Sequence, residues 1–338
     1  MTNVAINGLG RIGRATLRIL VDRPDLKLVA VNDIVPLKNL VYLLRYDTVF
    51  GRFPKTIQQQ GDSTLVIDGQ EIRFLQEKNP AELPWEEMGV QLVFECSGAF
   101  THREELEKHL NAGARHVILS APIKGDGVPT VVHGVNNIDA SEPLRSCASC
   151  TTNCITPVAE IMKRRVGVKK ALMTTIHAYT STQDIVDGPS KKLRRGRAAA
   201  QNLVPTTTGA AKATGKALPE YEGYFDGVAV RAPVPVGSIS DLTFVTERKT
   251  SAEEVNNIFR EEAGTERYEG ILGVSDDEIV SSDIIMDPRA SVVDLTMTQV
   301  VDGDLVKVMS WYDNEWGYSM QMVKEAESIV KHLADPSA

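Results

Sequence analysis

The sequence feature that most restricts the possible folds is a glycine-rich turn near the N-terminus. A short apolar segment typical of a strand precedes residues 8–13, whose sequence is GLGRIG, and an amphipathic segment typical of a helix follows. In this context Gly8 permits a tight turn, Gly10 lets the backbone approach a pyrophosphate, and Gly13 lets the helix pack on the strand. The pattern therefore predicts a dinucleotide-binding α/β domain.

An acidic residue further along the chain indicates which dinucleotide binds. A second predicted strand, residues 27–31, leads to Asp33, which lies twenty residues after Gly13. A carboxylate at this spacing meets the ribose hydroxyls of NAD and would repel the extra phosphate of NADP. We therefore expect NAD as the cofactor. The simpler alternative is a generic glycine-rich turn with Asp33 as a cap.

The alternation of strands and helices continues to about residue 149. Helices are predicted for residues 37–46 and 103–112, and strands for residues 64–67, 71–74, 91–95 and 115–119. Ser97 and Ser120 follow the last two strands. Because ligands lie outside the carboxyl ends of parallel strands, small residues there suit a cofactor close to the backbone.

The predicted elements change in character after residue 149. Helices are predicted for residues 152–166, 210–218 and 251–263, and long alternating strands for residues 169–176, 227–235, 238–246, 290–301 and 305–312. These strands predict an α+β domain with a mostly antiparallel sheet. The predicted organisation is a first domain over residues 1–149, a second over residues 150–314, and a helix over residues 315–338 that packs back on the first.

Composition disfavours several classes of function. With 37 basic and 45 acidic residues the formal charge is -8, which is unfavourable for general binding to nucleic acids or anionic membranes. The sequence contains neither a signal-peptide pattern nor an apolar stretch of the roughly 18 residues that a membrane span requires. Few cysteines in this context suggest a reducing compartment, so we expect a cytoplasmic location.

Cys150 is the candidate nucleophile. It lies between Ser149 and Thr151 at the start of a predicted helix, where the helix dipole and free backbone N–H groups favour a thiolate. The alternative is that Cys150 and Cys154 are buried structural residues. Cys147 and Cys150 have the spacing of a metal or redox pair, but no second pair supplies the remaining ligands of a structural zinc. We expect no metal.

A histidine in the second domain is the candidate partner of Cys150. Of the six histidines, only His177 follows a predicted strand beside a polar loop within that domain. In such a pair an imidazolium stabilises the thiolate, and the imidazole then takes a proton. Together with a dinucleotide site, the pair indicates aldehyde oxidation through a hemithioacetal that passes hydride to NAD and leaves a thioester.

The irregular segment at residues 181–209 carries a basic cluster. Residues 191–197 contain five basic residues in seven. A nucleic-acid patch, a solvated face and a phosphate-binding loop are the three interpretations. The hydroxyls at Thr180 and residues 206–208 favour phosphate, as does Gly209 before a predicted helix, whose N-terminus suits an anion.

Five segments carry a resemblance to a known family. They are residues 5–14, 148–154, 197–200, 207–212 and 311–318. Together they resemble phosphorylating glyceraldehyde-3-phosphate dehydrogenases, and the resemblance covers essentially the whole chain. It implies a Rossmann-type domain, a catalytic domain over residues 150–314, and the glycolytic conversion of D-glyceraldehyde 3-phosphate and inorganic phosphate to 1,3-bisphosphoglycerate.

The resemblance also implies site residues and an assembly. It implies Cys150 as the nucleophile and His177 as the base. The implied ligands of the substrate phosphate are Thr180, Arg195 and Arg231, and those of inorganic phosphate are Ser149, Thr151, Thr208 and Gly209. The implied NAD contacts beyond the glycines are Arg11, Ile12, Asp33, Ser97, Ser120, Asn314 and Tyr318. A cytoplasmic homotetramer is expected, with the loop after Thr180 near a neighbouring subunit's cofactor.

Two departures from the family pattern leave alternatives open. Cys147 stands where the family commonly has Asn. The basic loop lacks a frequent tryptophan, so Arg194, Arg195 and Arg197 all remain candidates for the substrate phosphate, and we favour Arg195. The competing functions are erythrose-4-phosphate dehydrogenase, which hydrolyses its thioester, and a non-catalytic binding or redox-sensing protein supported by the Cys147–Cys150 spacing.

Overall fold

The chain divides into two compact units in the computed structural model, which describes residues 1–334. Unit 1 comprises residues 1–133, 137–148 and the chain from residue 319 onward, and unit 2 comprises residues 134–136 and 149–318. None of the helices in the described residues is long and apolar enough to cross a membrane.

Unit 1 is built on an eight-stranded sheet. The strands of unit 1 are β1 Thr2–Asn7, β2 Leu26–Asn32, β3 Tyr46–Asp47, β4 Gly51–Arg52, β5 Ile57–Gln60, β6 Thr64–Ile67, β7 Gln70–Leu75, β8 Leu92–Glu95, β9 His116–Leu119 and β10 Leu144–Ser146. Strands β3 and β4 form a separate ribbon, and the other eight form the sheet. The sheet order is β10-β9-β8-β1-β2-β7-β6-β5, and the first six strands are parallel. The helices are α1 Arg11–Leu20, α2 Leu37–Arg45 and α3 Arg103–Asn111.

The central strands are buried on both faces, which is typical of a parallel sheet. Every residue of β8 and β9 is buried, as expected when both faces of a parallel sheet are covered. At the end of the sheet that carries β5, the turn Asp68-Gly69 joins β6 to β7, and both of its residues have positive φ angles of 48° and 83°. A two-residue turn of this kind matches the twist of a hairpin, as the sequence predicted.

Unit 2 is built on a seven-stranded mixed sheet. Its strands are β11 Val168–Ala178, β12 Val204–Thr207, β13 Phe225–Ala232, β14 Ser238–Thr246, β15 Leu272–Ser275, β16 Ser291–Val301 and β17 Leu305–Tyr312, in the order β12-β13-β11-β14-β17-β16-β15. Four of the six pairings are antiparallel, and β11–β13 and β15–β16 are parallel. The predicted fold class, a parallel α/β sheet with a second, mostly antiparallel one, is confirmed.

Three helices complete unit 2, namely α4 Cys150–Arg165, α5 Ala210–Ala217 and α6 Ala252–Ala263. Helix α4 is buried from Thr151 to Met162, where it packs on the sheet and on α5 and α6. The first turn of α4, which holds the candidate nucleophile, is therefore fixed by core packing.

The segment at residues 181–209 is less irregular than the sequence predicted. It contains a 3₁₀ helix, Leu193–Gly196, and strand β12, which pairs with β13 at the edge of the sheet. Pro205 lies within β12, and proline is tolerated in edge strands because one side of such a strand makes no ladder hydrogen bonds. A four-residue strand with a proline has no alternation from which it can be predicted.

The last helix, α7 Trp316–Ala334, is tied to unit 1 through Glu325. The Glu325 carboxylate accepts a hydrogen bond from Arg145 Nη1 at 2.6 Å and lies 3.0 Å from His133 Nδ1. Only 5% of Glu325 and 2% of Arg145 are exposed. Burial acts to raise the pKa of Glu325, but the bonds from His133 and Arg145 outweigh it and hold that pKa below its usual range.

We expect Glu325→Gln to destabilise the protein at neutral pH by about 3–5 kcal/mol, because the buried Arg145 guanidinium loses its counter-charge. A depressed native pKa means that Glu325 stabilises the fold above its unfolded pKa of about 4.3, and that this contribution is lost as the pH falls through the native value. Urea unfolding of variant and wild type at neutral and acidic pH measures both effects.

Glu327→Gln is the matched control on the same helix. The carboxylate of Glu327 lies 3.6 Å from its partner Arg23, and both side chains are partly exposed. The free energy of unfolding should therefore fall by less than about 1 kcal/mol. Equal losses for the two variants would contradict a special role for the Glu325 pair.

Candidate active site

Cys150 is the first residue of α4 and Ser149 is the helix N-cap. Ser149 Oγ accepts a hydrogen bond from the Thr152 N–H at 3.1 Å. The preceding residue, Ala148, has a φ angle of 53°, which is uncommon for a residue with a Cβ and marks a sharp entry into the helix. The Cys150 thiol is partly exposed, whereas the other three cysteines are buried.

His177 faces Cys150 from the adjacent sheet. It lies one residue before the end of β11, and its Nε2 is 3.4 Å from Cys150 Sγ. Only 5% of His177 is exposed. The structure thus brings together the predicted nucleophile and the predicted base, which lie 27 positions apart in the sequence.

The other ring nitrogen of His177 has two competing neighbours. Nδ1 lies 2.6 Å from the Ala178 carbonyl oxygen and 2.6 Å from Arg231 Nη1. Nδ1 donates to the carbonyl in one tautomer and accepts from the guanidinium in the other, and it cannot do both. In the first tautomer Nε2 carries the lone pair and can accept a proton from Cys150.

The electrostatics of the pair favour its neutral form. Burial lowers the pKa of His177 to about 3, and the nearby Arg231 guanidinium acts in the same direction. Burial raises the pKa of the Cys150 thiol, while Arg231 and the N–H groups of the helix start oppose that rise. This differs from the expected thiolate–imidazolium pair, because the sequence showed neither how deeply His177 is buried nor that Arg231 lies against its ring.

The three candidate arginines of the basic loop have different surroundings. Arg195 is partly buried and donates to Thr206 Oγ1 at 3.0 Å and to Thr182 Oγ1 at 3.4 Å. Thr180 Oγ1 lies 2.9 Å from Thr182 Oγ1, so Thr180 belongs to the same group of hydroxyls. Arg197 is exposed and pairs with Asp187, and Arg194 is exposed. Of these three arginines, Arg195 is the one whose charge lowers the pKa of both His177 and Arg231.

The starts of α4 and α5 lie side by side. Thr152 Oγ1 is 3.5 Å from the carbonyl oxygen of Ala210, the first residue of α5. Thr208 and Gly209 immediately precede α5, and Thr208 Oγ1 accepts from the Ala210 N–H at 3.2 Å. Two helix N-termini in one place suit an anion.

Thr151 is placed differently from the expectation of a phosphate ligand. Its side chain is buried, and Oγ1 lies 2.8 Å from the Tyr312 hydroxyl. The Thr151 hydroxyl therefore points into unit 2, and its backbone N–H remains as the group that can meet an anion.

The glycine-rich turn of unit 1 fits a dinucleotide. A Cβ on Gly8 would lie 2.5 Å from the Ser97 backbone and one on Gly13 would lie 1.9 Å from the Gly8 oxygen, while one on Gly10 would meet nothing within 4 Å. A crevice of about 470 Å³ is lined by Gly8, Gly10, Asp33 and Ser97. The chain is thus tightly packed behind the turn and open in front of it.

Asp33 holds the turn and still presents acceptors. Its carboxylate accepts from the Leu9 N–H at 2.6 Å and from the Val35 N–H at 3.0 Å. Each oxygen keeps a lone pair for a ribose hydroxyl.

The other expected cofactor residues occupy both units. In unit 1, Arg11 pairs with Asp47 and stacks on Phe50. Ile12 lies within the glycine-rich turn and Ser120 follows β9, and both are partly buried. In unit 2, the buried Asn314 accepts from Gly237 N and Ser238 Oγ, and Tyr318 is also buried.

A buried network that no local sequence pattern indicates lies behind Ser97. The Glu95 carboxylate accepts from the Ser97 N–H and hydroxyl, from Asn7 Nδ2 at 2.5 Å, and lies 3.1 Å from His109 Nε2. Trp85 Nε1 lies 3.0 Å from His109 Nδ1, and an indole can only donate, so Nε2 carries the His109 proton and points it at Glu95. His109 is fully buried, although it lies on α3.

Comparison with known proteins bears on both units. The family model of the glyceraldehyde 3-phosphate dehydrogenase NAD binding domain matches residues 2–103, and that of the C-terminal domain matches residues 149–314. The glyceraldehyde-3-phosphate dehydrogenase of Zymomonas mobilis is 44% identical over 334 residues, which cover 98% of this chain and 99% of that protein. The Streptomyces coelicolor enzyme is 47% identical, covering 95% and 96%, and that of Mycobacterium tuberculosis is 46% identical, covering 98% and 99%. The chain belongs to the glyceraldehyde-3-phosphate dehydrogenase family.

Proposed function

We propose that the protein is a phosphorylating, NAD-dependent glyceraldehyde-3-phosphate dehydrogenase that forms 1,3-bisphosphoglycerate in glycolysis. The observation that carries the proposal is the 3.4 Å contact between Cys150 Sγ and His177 Nε2 at the start of a helix. We further propose that unit 1 is the NAD-binding domain and unit 2 the catalytic domain, in line with the two matching family models.

The pair supplies the covalent steps. Cys150 Sγ adds to the aldehyde carbon, and its proton passes to the oxygen to give a hemithioacetal. His177 Nε2 then takes the hydroxyl proton as the carbonyl re-forms, for which a bound NAD would supply the hydride acceptor. Inorganic phosphate attacks the resulting thioester, and Cys150 leaves as a thiolate.

The neutral state of the free His177 imidazole fits this role. With a pKa lowered to about 3, the free imidazole is neutral throughout the physiological range and has a lone pair available for the proton. The bond from Nδ1–H to Ala178 O, in one tautomer, turns that lone pair toward the reacting atoms.

Two arginines are suited to the substrate phosphate. Arg231 and Arg195 are both only partly exposed. Burial, and then the nearby Arg195 charge, lower the pKa of Arg231, and Arg231 Nε is buried without a hydrogen-bond partner among the described residues. A phosphate dianion would supply acceptors for such donors and relieve the repulsion. Thr180 completes this site. The surroundings of Arg195 support it over Arg194 and Arg197.

The starts of α4 and α5 are suited to inorganic phosphate. We assign this site to Ser149, Thr208, Gly209 and the backbone N–H of Thr151. Helix N-termini with hydroxyls stabilise an anion that must approach the thioester on Cys150. This phosphate site distinguishes the proposed reaction from hydrolysis of the thioester.

NAD is assigned to the crevice of unit 1. The glycine turn and Asp33 would hold the pyrophosphate and ribose, and the further proposed contacts in unit 1 are Arg11, Ile12, Ser97 and Ser120. Asn314 and Tyr318 of unit 2 stay predictions of the family resemblance. The Asp33 carboxylate favours NAD over NADP.

The redox-sensing alternative is weakened by Cys147. Its side chain is only 3% exposed, and burial raises its pKa well above the usual range. Such a thiol is poorly disposed to form the thiolate that attacks an oxidised Cys150. Erythrose 4-phosphate oxidation with hydrolysis remains as an outcome of the assay below.

A cytoplasmic homotetramer is also proposed. The segment at residues 181–209 exposes four large apolar side chains, Ile185, Val186, Leu193 and Leu203, to the extent of 67–85%. Apolar exposure on this scale marks an interaction surface. Four free cysteines support a reducing compartment. We propose no nucleic-acid or membrane partner.

The decisive assay is NADH formation from glyceraldehyde 3-phosphate with and without inorganic phosphate. We expect rapid NADH formation with NAD and phosphate, little steady turnover without phosphate because the thioester accumulates, and weak activity with NADP. Turnover that stays fast without phosphate, or that is faster with erythrose 4-phosphate, would favour the hydrolytic alternative.

Two variants control this assay. Cys150→Ser should abolish NADH formation, and His177→Asn should lower the rate on the order of 10²-fold, as expected for loss of a general base. Near-normal NADH formation by Cys150→Ser would refute the covalent route.

Arg195→Ala should raise KM for glyceraldehyde 3-phosphate at least about tenfold, because a charge-assisted hydrogen bond contributes about 1.5–3 kcal/mol. Arg197→Ala, at an exposed pair with Asp187, is the matched control and should change KM little. The reverse result would assign the substrate phosphate to Arg197.

Light scattering in solution should give the mass of four 37.0 kDa chains. Ile185→Glu together with Leu193→Glu should shift the mass toward smaller species, because charged side chains would be buried in an apolar contact. A monomeric wild-type chain would disprove the assembly.

A further inference from the structure

Three buried polar side chains lie side by side at the floor of the crevice in unit 1. They belong to the last residues of three neighbouring strands, Glu95 of β8, Asn7 of β1 and Asn32 of β2. Glu95 is 0% exposed and the two asparagines, which line the crevice, are 3% exposed. Asn32 Nδ2 donates to Asn7 Oδ1 at 2.7 Å, and Asn7 Nδ2 donates to Glu95 at 2.5 Å. The ends of these strands are thus joined by side chains as well as by the sheet.

A backbone group fixes the direction of these bonds from the β2 side. The Glu77 N–H donates to Asn32 Oδ1 at 2.8 Å, and the Glu77 carbonyl oxygen accepts from Asn32 Nδ2 at 2.8 Å. Because a backbone N–H can only donate, Asn32 turns its oxygen to the Glu77 N–H and its nitrogen to Asn7. Asn7 then presents its oxygen to Asn32 and its nitrogen to Glu95. The orientation of both side-chain amides is therefore assigned by the network.

The donors on the other side of Glu95 are fixed as well. The Trp85 indole holds the His109 proton on Nε2, which faces Glu95 Oε2 together with Asn7. The Ser97 backbone N–H donates to Glu95 Oε1 at 2.8 Å. Glu95 therefore receives three bonds from groups that cannot reverse, and a fourth from the Ser97 hydroxyl. A carboxylate accepts at both oxygens, whereas an amide in its place would carry a donor that faces other donors.

The bonds to Glu95 Oε1 hold one wall of the crevice. The N–H and the hydroxyl of Ser97 both donate to this oxygen, and Ser97 Oγ accepts from the Ala99 N–H at 3.1 Å. The same turn lies against the glycine-rich turn, since a Cβ on Gly8 would lie 2.5 Å from the Ser97 backbone. A shift of Ser97 would therefore change the space in front of Gly8. With its proton directed at Glu95, the Ser97 hydroxyl has one lone pair to offer a cofactor and no donor.

We propose that Glu95 is a positioning residue for NAD, which ties the Ser97 turn to the ends of β1 and β2 and presents the Ser97 hydroxyl to the cofactor as an acceptor. Glu95 acts through Ser97, because its own side chain is fully buried. Ser97 then recognises a hydrogen-bond donor of NAD, such as a ribose hydroxyl, and not the pyrophosphate oxygens, which are acceptors. The inference rests on the NAD site proposed for unit 1.

The test is the dissociation constant of NAD for the whole chain, measured by isothermal titration calorimetry without aldehyde or phosphate. Glu95→Gln keeps the shape of the side chain and replaces one oxygen by an amide nitrogen. The fixed donors of Asn7 and His109 retain the remaining oxygen, so the nitrogen faces Ser97, whose N–H loses its acceptor. The dissociation constant should rise about tenfold, because a hydrogen bond to a charged group is lost from the wall of the crevice.

Trp85→Phe is the control for general loss of stability. It leaves the buried His109 Nδ1 without its donor, so the free energy of unfolding in urea should fall. His109 keeps its proton on Nε2, because Glu95 still accepts it, and the Ser97 turn is unchanged. Trp85→Phe should therefore keep the wild-type dissociation constant of NAD. Equal weakening of NAD binding by Trp85→Phe and Glu95→Gln would assign both effects to stability and overturn the inference.

Ser97→Ala tests whether Glu95 acts through Ser97. This variant removes the acceptor and should weaken NAD binding. In the double variant Glu95→Gln/Ser97→Ala, the dissociation constant should rise by less than the product of the two single effects, because both substitutions act on one turn. A rise equal to that product would show that Glu95 acts independently of Ser97, against the inference.

Amide hydrogen exchange of the wild-type chain gives a readout that does not depend on the folding of a variant. Ser97 and Ala99 lie in an exposed turn, yet their N–H groups are bonded to Glu95 and to Ser97 Oγ, respectively. Mass analysis of the peptides that span this turn should show that both amides exchange slowly in the absence of NAD. Rapid exchange of both amides would contradict the fixed turn and with it the inference.

The outcomes separate this inference from the proposed reaction. If Glu95→Gln binds NAD as tightly as the wild type, the inference is lost and the NAD site stays. A wild-type chain that binds no NAD overturns both. Calorimetry requires no turnover, so a chain that shows the expected changes in NAD binding but forms no NADH keeps the inference and loses the proposed reaction.

Discussion

The contact between Cys150 and His177 depends on the fixed position of the first turn of α4 relative to the end of β11. Helix α4 is buried along most of its length, so its start cannot move without disturbing the core of unit 2. The imidazole is fixed separately, by its place on a strand paired on both sides and by the bond from Nδ1 to its neighbour's carbonyl. Two rigid elements thus hold two reactive atoms at one distance, which is what covalent catalysis requires.

The same arrangement favours the neutral form of the unliganded pair. Parallel pairing of β11 and β13 sets His177 opposite Arg231, and the guanidinium disfavours a charged imidazole. Under the proposed function, the phosphate of the substrate would offset the charges of Arg231 and Arg195 together. The two cations proposed to bind the substrate would then also be those that disfavour a charged imidazole in its absence.

The sequence predicted what depends on local patterns. The glycine turn, Asp33 at its spacing, Cys150 at a helix start and His177 at a strand end follow from periodicity and spacing, and the long elements lie within a few residues of their predicted bounds. The contacts set by register between distant strands were not accessible. Arg231 is 54 positions from His177, and Tyr312 is 161 positions from Thr151, so no local pattern reveals that they meet. Family resemblance named Arg231 but did not indicate that it touches the imidazole.

Both units support an exposed functional residue with a buried polar network whose proton positions can be derived. In unit 1, Trp85 fixes the proton of His109 on Nε2, so the direction of donation toward Glu95 is set by a group that can only donate. Both donors of Ser97 are directed to Glu95, and Ser97 Oγ accepts from the Ala99 N–H at 3.1 Å, which leaves one lone pair for another partner. In unit 2 the network consists of hydroxyls alone, and a hydroxyl both donates and accepts. The unit 1 network therefore has one direction, whereas the buried hydroxyls of Thr151, Tyr312 and Thr175 in unit 2 can donate in either order.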